Sequence, residues 1–222
     1  RVLEESLIRA RLPYRIYGGL RFFERMEVKD ALAWLRVLVN RDEDVSFERA
    51  LTTPPRGVGA TSIERLRLFA RDHGLSLWKA ARHGSAALGR TSGALTTFLD
   101  SIDLLDAQTR ALPLAEKMEK VINASGLKEH YKKEKGEQAE ARLENLDEII
   151  NAAKSFEKPE GLAEGADPVT EFLMHAALEA GGQDVAEHDQ RLFVRAVGDG
   201  IQAGVGMRYA HELGLGAVDA VA

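Results

Sequence analysis

The chain has no cysteine, so it has neither a disulfide framework nor a thiolate with which to attack a substrate or bind zinc. That absence fits a reducing compartment. No apolar run approaches the roughly 20 residues a membrane-spanning helix needs, and no charged-then-apolar leader opens the sequence. There is no G-x-x-x-x-G-K-[ST] phosphate loop and no G-x-S-x-G nucleophile elbow. Six histidines stand at 73, 83, 130, 175, 188 and 211, with no pair three or four apart on a helix as zinc sites use. Proline is scarce, at 6 in 222 residues, and aromatics make up 6%. Trp34 and Trp78 lie among apolar neighbours and read as core. Taken alone, the chain is not expected to catalyse a reaction.

What is present is helical periodicity. Apolar residues recur at three- and four-residue spacing through most of the chain. Leu3, Leu7, Ile8 and Leu12 form one such face, stopped by Pro13. Val28, Ala31, Leu32, Leu35, Leu38 and Val39 form the stripe of a helix from Phe22 to about Asn40. A short helix follows around Ser46–Leu51, then others over Ser62–Arg71, Leu75–His83, Ala94–Ala111, Leu114–Asn123, Leu127–Gly136, Gln138–Phe156 and Pro168–Ala180. In the Ala94–Ala111 helix, Leu95, Phe98, Leu99, Ile102 and Leu105 face inward. Tyr14–Tyr17 is the one expected strand, closed by Gly18-Gly19. Lys158–Asp167 reads as a loop. The fold class is all-α. A lone strand without partners, and an opening directly into helical sequence at Arg1, point to a fragment of something longer.

Net charge is −5, unevenly spread. Residues 1–90 hold 17 Lys and Arg against 11 Asp and Glu; residues 91–222 hold 13 against 24. The basic part contains Pro54-Pro55-Arg56-Gly57-Val58-Gly59-Ala60-Thr61-Ser62-Ile63-Glu64. Two prolines end the preceding helix. Gly57 and Gly59 allow a loop whose backbone lies close to a ligand. Thr61 followed by Glu64 has the spacing of a capping box, which would start the next helix. A glycine loop feeding a helix N-terminus gathers unpaired N–H groups and the positive end of the helix dipole, a setting for a phosphate, with Arg56 adding a full charge. The same pattern also serves a plain turn between two helices, and local pattern alone leaves both open.

Six collinear runs carry a resemblance. They are Arg1-Val2-Leu3-Glu4-Glu5, Pro13-Tyr14-Arg15-Ile16-Tyr17-Gly18-Gly19, Arg21-Phe22-Phe23-Glu24-Arg25 leading to Val28-Lys29-Asp30-Ala31-Leu32, Pro55-Arg56-Gly57-Val58-Gly59, Arg142-Leu143-Glu144-Asn145-Leu146 and His175-Ala176-Ala177-Leu178-Glu179-Ala180-Gly181. Over about four fifths of its length the chain resembles the UvrD/Rep/PcrA-type superfamily 1 DNA helicases.

The resemblance implies that residues 1–19 are a remnant of the RecA-like domain 2A and that 20–182 are the helical 2B subdomain with helix–hairpin–helix-like elements. Residues 183–222, rich in Gly, Ala and Val, form a tail that departs from the family pattern and is expected to be weakly ordered. It further implies a parent that hydrolyses ATP with Mg to step 3′→5′ along DNA in repair or replication, in a bacterial cytoplasm near the nucleoid. The 2B part would grip the duplex and swivel about hinges near Gly18-Gly19 and after Gly181. By position, Lys29, Arg56, Gly57, Val58, Gly59, Ala60, Thr61 and Ser62 would contact the double-stranded DNA backbone, without reading sequence. Val58 stands where the family has isoleucine. Implied partners are duplex DNA, the parent's motor domains and repair proteins, with no membrane and no cofactor in this piece. The alternative is a protein-interaction module, in which the acidic second half docks repair or transcription partners.

Overall fold

A computed structural model of the chain describes residues 22–84, 89, 91–156 and 167–180. The expected helix at Leu3–Leu12, the strand at Tyr14–Tyr17, both hinges, most of the 158–167 loop and the 183–222 tail lie outside the described residues. The chain divides into two compact units, residues 1–158 and 159–222.

Among the described residues every regular element is helical. In the first unit a 3-10 turn, Phe22–Glu24, leads into α1 (Met26–Val39), followed by α2 (Asp44–Thr52), α3 (Ala60–His73), α4 (Leu77–Gly84), α5 (Ser92–Thr109), α6 (Leu114–Ser125), α7 (Leu127–Lys132) and α8 (Glu137–Phe156). The second unit contributes α9 (Pro168–Glu179). Helix ends follow from local chemistry. Gly74 closes α3 with a Schellman pair, Leu75 N–H to Ala70 O at 2.8 Å and Gly74 N–H to Arg71 O at 3.3 Å. Asp167 caps α9 by accepting the Thr170 N–H at 3.0 Å, and Pro168 stands in the first turn, where no N–H is needed.

α1 is the axis of the first unit. It packs against α2, α5, α6, α7 and α8. Its expected one-sided stripe is therefore only part of the truth. Val28, Ala31, Leu32 and Leu35 are buried, but so are Ala33, Trp34 and Val37 on other faces, while Val39 at the stripe's end is exposed. A helix enclosed on nearly all sides has no single apolar face. Around it an edge-to-face series of rings runs through the core, Trp34 to Phe98 at 5.5 Å, Phe98 to Phe47 at 5.7 Å and Phe47 to Trp78 at 6.0 Å. This joins α1, α5, α2 and α4. Each large side chain so enclosed contributes about 1.5–3 kcal/mol.

Two carboxylates of α1 are buried with apolar neighbours, and each has partners. Asp30 accepts from Arg49 Nε at 2.6 Å and from the Tyr131 hydroxyl. Burial, and the hydrogen bond to Asp30, push the Tyr131 phenol well above its ordinary range. Glu27 accepts from the Asn145 amide, whose oxygen takes a hydrogen bond from Arg25. Arg142 lies 3.9 Å from Glu27, donates to Glu134 at 2.9 Å and covers the Tyr131 ring at 5.1 Å. The Arg142–Leu146 run thus ties α8 to the start of α1.

Candidate nucleic-acid interface

The Pro54–Gly59 segment connects α2 to α3, after a cis Thr53–Pro54 peptide. Gly57 has φ +77°, a conformation side chains rarely adopt, so the turn itself requires glycine there. Gly59 is different. Its φ of −83° and ψ of 171° suit any residue, and a Cβ placed on it would meet nothing within 4 Å. The fold has no use for its lack of a side chain. Gly57, Gly59, Ala60 and Thr61 are exposed, whereas Val58 is buried, so this anticipated contact residue anchors the loop with its side chain and can meet a ligand only through its backbone.

α3 starts at Ala60 with Gly59 as its N-cap, two residues before the expected boundary. No side chain caps it. The anticipated capping box does not form, because Thr61 already lies inside the helix and Glu64 pairs with Arg67 at 3.1 Å instead. Ser62 and Ile63 donate to Gly59 O at 2.9 and 3.1 Å, which leaves the N–H groups of Ala60 and Thr61 without a partner among the described residues. Ser62 Oγ accepts from Thr91 at 3.2 Å. Beside these amides lies an open groove of about 490 Å³ lined by Glu48, Ala60, Thr61, Ile63, Glu64 and Arg67. Arg67 bridges Glu48 and Glu64, which compensates much of the acidic charge on that side.

Arg56 is engaged within the fold. Its side chain was expected to reach out to phosphate, and it turns inward. Nη1 donates to Pro54 O at 2.6 Å and Ala50 O at 2.9 Å, and Nη2 donates to Ser125 O at 2.8 Å. The guanidinium also stands 4.7 Å from the Trp34 ring centre and 5.4 Å from that of Phe98. The physical reason is that α2 and α6 both end here, and the negative ends of two helices converge on one cation. Burial lowers the Arg56 pKa to about 10, so it stays charged at neutral pH. Trp34 Nε1 holds Thr53 O at 3.2 Å on the same side.

Lys29 is exposed on the first turns of α1, and no contact among the described residues joins it to the loop. Trp34, five residues and about 7.5 Å further along α1, is the residue that touches it. A cation missed by sequence reasoning is Arg65. It is exposed, without a partner among the described residues, and one helical turn beyond Thr61 on the same face. Its signal was available in the i, i+4 spacing from Thr61. Also among the described residues, no three His, Asp or Glu side chains gather as metal ligands. No helix there is long and apolar enough to cross a membrane.

An uncapped helix start behind a glycine loop does not by itself say which anion is met. Comparison with known proteins gives the chain's family. Residues 1–197 match the UvrD-like helicase C-terminal domain. The chain belongs to that family. It is 47% identical over 191 residues to DNA helicase II of Haemophilus influenzae, covering 85% of this chain and 26% of that protein. It is 47% identical over 184 residues to DNA helicase II of Escherichia coli, covering 82% and 25%. It is 39% identical over 160 residues to the ATP-dependent DNA helicase PcrA of Bacillus subtilis, covering 71% and 22%. The chain therefore spans about a quarter of the length of these relatives. Within this UvrD-like domain, the Arg56 and Arg142 runs that carried the resemblance both hold the fold together from inside.

Proposed function

We propose that this chain is the duplex-gripping 2B subdomain of an ATP-dependent 3′→5′ DNA helicase acting in repair or replication. Residues 20–182 are that subdomain, residues 1–19 the edge of the RecA-like domain 2A, and 183–222 a tail. ATP and Mg are handled by the motor domains of the parent, in the cytoplasm beside the nucleoid; no described residue of this chain is assigned to either. The grip is on the DNA backbone. The amides of Gly57–Thr61, with the dipole of α3 behind them, donate to a phosphate, and Arg65 and Lys29 supply exposed charge. Such contacts position the protein without reading bases.

The observation that carries this reading is Gly59. Its backbone is ordinary and the space around it open. A glycine the fold does not need, beside two free amides, leaves room for a partner's backbone to approach. The test is Gly59→Asp. An aspartate there caps α3 by accepting the Thr61 N–H, and its negative charge repels any phosphate from the Ala60 N–H beside it. The expected result is a chain that melts no lower than wild type and binds a blunt DNA duplex at least tenfold more weakly in fluorescence anisotropy. Equal binding by both chains would refute the loop as the contact. No binding by either would shift the weight to the acidic half as a protein-docking surface.

A further inference from the structure

We infer that Arg56 is a positioning residue, which sets the aim of the loop amides from inside the fold and never touches the DNA. The inference rests on the duplex-backbone reading above. The covalent neighbour of Gly57 would ordinarily be credited with the phosphate contact, because it is the one cation in the loop. Its geometry assigns it other work. The guanidinium reaches carbonyls on three sides, from the end of α2 (Ala50), from the loop (Pro54) and from the end of α6 (Ser125), 69 residues further on. Trp34 and Phe98 rings flank it, so the half-buried guanidinium is partly screened from water.

These contacts fix the start of the loop against two helix ends. The Pro54 ring lies near the α6–α7 junction, where a Cβ added at Gly126 would stand 3.8 Å from it. Immediately after, the chain turns at Gly57, buries Val58 and presents the amides of Ala60 and Thr61. One end of that short segment is held by Arg56 and the other by α3. Without the guanidinium the start of the loop is left with the Trp34–Thr53 hydrogen bond just before it, and the amides lose their common direction. Lysine cannot replace it, because an ammonium is a single point and cannot reach three separated carbonyls as a planar fork does.

Direct contact and positioning make opposite predictions for salt dependence. A cation that meets phosphate releases counterions, so removing it lowers the slope of log K against log salt by about 0.9. A positioning residue lowers affinity at every salt and leaves the slope alone. Duplex binding by the full chain is measured from low to moderate salt for wild type, Arg56→Lys, Arg56→Gln and Arg65→Gln, with thermal melts to confirm folding. Expected are a five- to twentyfold loss at unchanged slope for both Arg56 variants, and a slope reduced by about 0.9 for Arg65→Gln. A lower slope for Arg56→Gln, with full rescue by Arg56→Lys, would overturn the inference and leave the duplex reading standing. Loss of binding in Gly59→Asp with unchanged binding in both Arg56 variants would do the same. Hydrogen exchange in the DNA-free chain gives an independent readout that also covers a variant too unstable to bind. Under conditions where the variant remains folded, the Gly57–Thr61 amides should exchange faster in Arg56→Lys than in wild type, with α8 unaffected. Identical loop exchange would overturn the inference whatever the DNA result. Wild type that binds no duplex would instead bring down the underlying reading, and this inference with it.

Discussion

Two of the arginines drawn into this fold, Arg142 and Arg56, are held by different chemistry. Arg142 meets carboxylates, Glu27 and Glu134, and lies over Tyr131. Arg56 meets only carbonyls and ring faces. The first arrangement is a side-chain network that joins helices α1 and α8. The second grips backbone, and so determines where backbone groups point. A residue that fixes side chains stabilises a core; one that fixes carbonyls can also shape a surface. That is why the loop arginine, although turned inward, belongs to the account of the interface, while the α8 arginine belongs to the account of the fold.

Breaking the buried carboxylate network that Arg142 joins through Tyr131 should cost most. Asp30→Ala strands Arg49 and Tyr131 beside a buried gap and is expected to destabilise the first unit by about 3–5 kcal/mol, read from urea unfolding. Arg56→Met should cost about 2–3 kcal/mol, because the carbonyls of Ala50, Pro54 and Ser125 lose a charged donor in a half-buried place. If Arg56→Met proved as costly as Asp30→Ala, the distinction between the two sites would blur.

Tyr131 sharpens the carboxylate side through pH. Its phenol is held above the ordinary value of about 10, so between that value and its folded value the native state keeps a proton the unfolded chain has lost. Stability from this group is complete below pH 10 and falls as pH rises beyond it. Tyr131→Phe should lower stability at pH 7 by about 1.5 kcal/mol, with a shallower decline in alkali, as measured by unfolding at several pH values. A decline as steep as wild type's would remove Tyr131 as its source.

Gly59→Asp is the smallest change in stability and the most telling for function. A new cap should stabilise α3 by a few tenths of a kcal/mol. The same carboxylate takes the Thr61 amide and repels phosphate, so stability and DNA binding are expected to move in opposite directions.

Much of the scaffold was legible in the sequence, because burial on helices repeats with a fixed period. Leu95, Phe98, Leu99, Ile102 and Leu105 were expected inside α5 and are buried. The breaks at His73-Gly74 and Ser125-Gly126 also fall at helix ends. α1 was legible as a helix but not as the central one, since enclosure is decided by distant neighbours and not by the helix's own pattern. The capping box at Thr61 and Glu64 was a correct spacing at the wrong register. Arg56 was the deeper gap. Its partners are carbonyls, which every residue carries, and one comes from Ser125 across the fold. No side-chain pattern encodes such a bond. Gly57 and Gly59 look alike in sequence, and only their backbone angles separate the glycine that the turn needs from the one it does not.

The most direct measurement of the central claim is a titration of the 15N-labelled chain with a short DNA duplex, followed by amide chemical shifts. The account predicts saturable shifts concentrated at Gly57, Gly59, Ala60 and Thr61, weakened by salt and absent in Gly59→Asp. Shifts confined to the acidic second half, or a loop that does not respond while the duplex binds, would contradict it.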